Sequence, residues 1–177
     1  MREGYSLPSL KEPVPTKAGA RWPFVLVHSV RTGLAATVSV LAALALRLPE
    51  SYWAAITTLV ITQSSLGAAL AVSWRRFAGT AIGAAVGAAV ATYFGSSPLI
   101  FGLSIAVLGL LCEVARLDRS AYRFAGVALA IVLLVPRTIP AWKFAFNRFA
   151  EVSIGIGTAL VFTLVWPEKE DMPEPKN

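Results

Sequence analysis

Six apolar stretches follow one another along the chain, at about 26–46, 52–73, 77–94, 98–115, 122–144 and 149–166. A helix needs roughly 20 apolar residues to cross the hydrocarbon core of a bilayer. Connectors as short as 47–51, 74–76, 95–97 and 116–121 separate the first five stretches. Such a chain has few ways to fold: helices that turn back at once and pack side by side, in lipid rather than in water. Composition agrees. The chain is 56% hydrophobic and only 15% charged, against about 25% charged in soluble domains. The net charge of +6 would suit nucleic acid if the basic residues shared one polar face, but they fall between apolar runs, as in membrane proteins.

The expected fold is therefore all-α, a polytopic membrane protein of six transmembrane helices. The membrane domain covers 25–167, between a polar, proline-bearing N-terminal tail at 1–24 and a charged C-terminal tail at 168–177. The N-terminal tail has no signal-peptide pattern and is expected to be retained. Tyr52 and Trp53 at one end of the second stretch, and Trp74 at the other, have the spacing of interface anchors, about 31 Å apart along a helix. With the N-terminus inside, eleven Lys and Arg fall on inner segments and three on outer ones. That bias predicts both termini in the cytoplasm. On this count Arg75 and Arg76 mark a cytoplasmic turn between the second and third spans.

Arg76-Phe77-Ala78 recurs as Arg148-Phe149-Ala150, and Ile82-Gly83 as Ile154-Gly155, both at an offset of 72. This offset lays spans 1–3 on spans 4–6. Three spans is an odd number, so the second half would be inverted, as in many secondary transporters. The offset also lays Thr62 to Gly67 on Leu134 to Ile139, with Ser64 opposite Pro136, so that Thr62-Gln63-Ser64-Ser65 and Pro136 to Pro140 fall near the middle of spans 2 and 5. Two readings of 136–140 stand. It is a break within span 5 that exposes backbone to a ligand, or it is an outer loop that ends a short span.

Gly79, Gly83 and Gly87 recur every fourth residue, and Gly155 and Gly157 form a weaker set; both read as close helix-packing faces. Ionisable residues inside spans are costly and mark functional hypotheses. Arg31, Arg137, Glu113 and Glu151 qualify, with His28 at the edge of span 1. Each also has a plainer reading, such as an i,i+3 ion pair for Glu113–Arg116 and Arg148–Glu151. One cysteine and one histidine give no basis for a metal cluster, and no acid–base–nucleophile set, metal motif or phosphate loop is present. An enzyme, a metal site or a cofactor is not expected.

Tyr52-Trp53-Ala54, then Gln63-x-Ser65-Leu66-Gly67-Ala68, then Arg76-x-x-Gly79-Thr80-x-x-Gly83 resemble the fusaric acid resistance and aromatic acid exporter family of bacterial inner-membrane proteins. Arg148 to Gly155, followed by Trp166-Pro167, is similar to that family's sixth span. Ser64 stands where the family often has proline. The resemblance implies an inner-membrane efflux permease or permease subunit for aromatic or other weak organic acids, sometimes working with a periplasmic adaptor protein. Many members carry a second membrane half, so a homo-oligomer is expected here. On this reading Gln63, Ser64, Ser65, Thr80, Arg137 and Arg31 line the path of a small organic anion. Glu113, Glu151 and His28 exchange protons. The alternative is a scaffold or assembly subunit whose polar residues only pack helices.

Overall fold

The computed structural model describes residues 22–62 and 65–166. These form α1 (Trp22–Ala45), α2 (Tyr52–Ile61), α3 (Leu66–Tyr93), α4 (Pro98–Val114), α5 (Arg119–Leu134) and α6 (Ala141–Val165). Local sequence sets the starts. Ser65, Ser97 and Asp118 accept hydrogen bonds from the backbone N–H groups of Ala68, Ile100 and Ala121, and Pro98 opens α4. These are N-caps, which satisfy donors a helix start leaves over.

The helices differ from the six expected spans in a specific way. The third element does not begin after Trp74-Arg75-Arg76; α3 runs unbroken through them for 28 residues. Arg75 and Arg76 are not a turn. α2 ends earlier, at Ile61, with only 10 residues, and α3 begins at Leu66. The reason is tertiary. Arg75 makes an ion pair with Asp118, and Arg76 is 7% exposed against protein groups, so neither needs a headgroup to serve it. Trp53 and Trp74 therefore do not bracket one helix. The span expected at 122–144 is α5, ending at Leu134, and Pro136 to Pro140 joins α5 to α6. Of the two readings of that segment, the connecting loop is the one seen. Among the described residues, α1 from Val25 and α6 are the helices both long and apolar enough to cross a membrane.

α3 and α6 form the antiparallel centre. Ala69 shares a cluster with Ala159, Phe77 lies on Phe149 with ring centroids 4.9 Å apart, and Ala84 packs with Phe144 and Ala145. The hairpin α1–α2 packs on α6 and the hairpin α4–α5 packs on α3, and the two hairpins do not touch. Each half thus lends its third helix to the other half's hairpin. An antiparallel pair is exchanged only by a two-fold axis across it, so the halves are inverted relative to each other.

Details repeat across this axis. Gly83 lies against the backbone of Ala125, and Gly155 against that of Ala54 and the side chain of Thr57; a Cβ at either glycine would overlap them. Gly79 and Gly87 face α5 in the same way, whereas Gly157 faces open space. Both hairpins turn alike. Arg47 and Arg116 have φ of 55° and 53°. Leu48 N–H donates to Ala43 and Arg47 N–H to Leu44, as Leu117 N–H donates to Cys112 and Arg116 N–H to Glu113. This is the Schellman ending, with arginine in the left-handed position that glycine usually takes.

Candidate functional site

The repeated arginines meet where the two halves meet. Arg76, from the middle of α3, lies over the ring of Phe124 on α5 at 5.0 Å, and its Nε donates to Thr57 Oγ1 on α2 at 3.2 Å. Arg148, from α6, lies over the ring of Trp53 on α2 at 3.2 Å. Each third-helix arginine thus stacks on an aromatic ring from the opposite half. Stacking suits guanidinium because its flat, weakly hydrated face tolerates an aromatic surface. Arg148 is 3% exposed.

The two arginines are not equally served. Glu50 and Glu151 carboxylate oxygens lie 3.9 and 3.7 Å from Arg148 Nη1, beyond hydrogen-bond distance, and that nitrogen has no hydrogen-bond partner among the described residues. Glu151, 1% exposed, also accepts from the backbone N–H of Glu50 at 3.0 Å. In the other half, Gly79 and Ala121 occupy the corresponding places and the helices close up. A small void of about 10 Å³ remains between the arginines, lined by both and by Thr80, Phe124, Val127, Ala128 and Val152. That is close to the least space that holds one water. The N-terminal ends of α2 and α5 lie at the same height, because Trp53 and Phe124 sit under the arginines in their first two turns. Helix N-termini add positive potential.

Of the residues expected to line the path, the structure brings Thr80 to this centre, and of those expected to exchange protons, Glu151. Gln63 and Ser64 lie outside the described residues, and Ser65 caps α3. Arg31 is fully buried, but far away, donating to Trp166 O at 2.8 Å beside the end of α6. There it serves a helix C-terminus. His28 is one turn before it on α1. Glu113 is exposed in the last turn of α4, a helix that does not contact α6. Arg137 donates to Val132 O at 2.6 Å and faces a cavity of about 790 Å³ at the C-terminal end of α3 and the N-terminal end of α6, together with Thr92, Ser96, Thr138 and Trp142. About 24 Å of α3 separates Thr92 there from Arg76.

Arg76 and Arg148 are central and were not singled out for the site. The signal that could have found them was the repeat, since both occupy the same position in it.

Comparison with known proteins places this arrangement. "Uncharacterized transporter YdhK" of Salmonella typhimurium (strain LT2) is 28% identical over 177 residues, which cover 94% of this chain and 25% of that protein. The protein of the same name in Escherichia coli (strain K12) is 27% identical over 161 residues, covering 86% of this chain and 23% of that one. The chain thus spans about a quarter of the length of these relatives. The sequence profile of the Fusaric acid resistance protein family matches residues 25–173, nearly the whole chain, and the protein belongs to that family.

Proposed function

We propose that this chain is a permease, or a subunit of one, that carries organic anions across the bacterial inner membrane, with Arg76 and Arg148 as the anion site. The observation that carries this reading is the pair itself. Two guanidiniums at equivalent positions of an inverted repeat are buried together around a void, and one has a donor without an acceptor. Buried charge is costly. Scaffolding needs no such pair, whereas a carboxylate would satisfy both once the helices part around a void that now has room for about one water. Inverted repeats with a central site also suit alternating access.

The relatives' description as transporters and the family's name support the same reading. Aromatic or other weak organic acids are the substrates proposed, moved outward and linked to protons. The large outer cavity with Arg137 and Trp142 is the proposed outer vestibule, with both termini of the chain cytoplasmic. A homo-oligomer and a periplasmic adaptor complete the assembly.

Everted membrane vesicles containing the protein, incubated with labelled aromatic acids with and without a pH gradient, test this. Wild type is expected to accumulate an acid above empty-vector vesicles. Arg76→Gln, which leaves no carboxylate without a partner, is expected to lower uptake at least tenfold at unchanged protein level. Uptake by Arg76→Gln equal to wild type would remove the pair from the path and favour the scaffold reading.

A further inference from the structure

The central cluster has a charge balance that constrains what an anion can do there. From α3 comes Arg76, from α6 Arg148 and Glu151, and from the turn before α2 comes Glu50. The neighbouring faces of α2 and α5 supply Trp53, Thr57, Phe124, Val127 and Ala128, none of them ionisable. Tyr52 is 53% exposed and Arg31 sits at the far end of α6. Two positive and two negative groups therefore face one another, and the empty site is neutral. Glu50 is 24% exposed, but Glu151 is 1% exposed. An anion that enters between the arginines leaves one negative charge in excess in a buried place, where unpaired charge is strongly disfavoured. It also draws Arg148 toward itself and away from Glu151.

We infer that an anion enters this site together with a proton, and that the proton goes to the carboxylate of Glu151. The inference rests on the anion reading of the arginine pair. The balance is simple. The anion arrives with its charge, a proton from water adds to one oxygen of Glu151, and no bond in the ligand breaks. The site stays neutral in both states. The pseudo-symmetric half cannot take this role, because Gly79 and Ala121 stand where Glu151 and Glu50 would be.

Proton uptake measured beside binding tests it. The purified full chain in weakly buffered detergent with a pH-indicating dye is mixed with sodium benzoate at matched pH. Equilibrium dialysis with radiolabelled benzoate reports binding in parallel. Wild type is expected to take up close to one proton per benzoate bound. Glu151→Gln keeps a carbonyl oxygen to accept from Glu50 N–H, and is expected to bind benzoate at least as tightly while proton uptake falls to nearly zero. If that variant does not accumulate, Glu50→Gln, at the more exposed carboxylate, decides with the same readout and an expected fall in uptake of at least half. Benzoate binding without proton uptake in wild type overturns the inference and leaves the anion site standing. Full proton uptake in Glu151→Gln also overturns it, since the proton would then be carried by the benzoate or by Glu50. Absence of benzoate binding to wild type, or binding unchanged in Arg76→Gln, overturns the anion site and the inference with it.

Discussion

The two halves of this protein share a scaffold and differ in charge. In each, a hairpin of helices packs on the other half's third helix, a glycine admits the backbone, and an arginine stacks on an aromatic ring. Around Arg148 the space beside the ring holds two carboxylates, Glu50 and Glu151. Around Arg76 the same space is closed by Gly79 against Ala121, and the guanidinium has a hydroxyl and a ring for company. The difference separates two jobs. Close packing and stacking, common to both halves, build the molecule. The carboxylates, one from each half but both beside Arg148, make the centre asymmetric.

The largest effects should come from the shared packing. Gly83→Leu and Gly155→Leu each drive a side chain into the neighbouring helix backbone, and both are expected to abolish folded protein. Gly102→Leu and Gly157→Leu face open space and should accumulate normally. Monodisperse yield in detergent is the measurement. Tolerance of Gly155→Leu beside failure of Gly83→Leu would break the equivalence of the halves.

Next come the arginines, where the halves should part. Arg148→Gln leaves the buried Glu151 carboxylate without its cation, a loss of about 3–5 kcal/mol for a buried pair broken on one side. Arg76→Gln orphans no acid and should cost clearly less. Thermal unfolding in detergent reads the difference, and Arg148→Gln combined with Glu151→Gln should recover much of it. Equal destabilisation by the two single changes would mean that stacking, not charge, dominates at both sites.

The smallest effects belong to the twin turns. Arg47 and Arg116 occupy left-handed backbone that glycine adopts at no steric cost. Arg47→Gly and Arg116→Gly should each stabilise by about 0.5–1 kcal/mol, seen as a small rise in the same melting curve. A rise at one turn and a fall at the other would show that one arginine side chain holds contacts the other lacks.

Much of this was legible in the chain itself. Long apolar runs and short connectors dictate a helical protein, because a backbone in an apolar setting must satisfy its own hydrogen bonds. The repeated Arg-Phe-Ala and Ile-Gly motifs carry the inverted halves, and the glycine spacing of α3 marks a close-packed face, which α5 fills. The turns could not be read in the same way. Trp74-Arg75-Arg76 has the composition of a membrane-edge turn, yet it lies within α3, because Asp118, Thr57 and Phe124 reach it from elsewhere in the chain. Composition counts charges but cannot see the partners that satisfy them. For the same reason Arg137, which the sequence left between a broken span and a loop, lies in a connecting loop, while Arg76 and Arg148 form the centre. The sequence decided which residues are equivalent. Only folding decided which of them touch, since the contact between the halves joins residues 72 positions apart across a two-fold axis that no local pattern encodes.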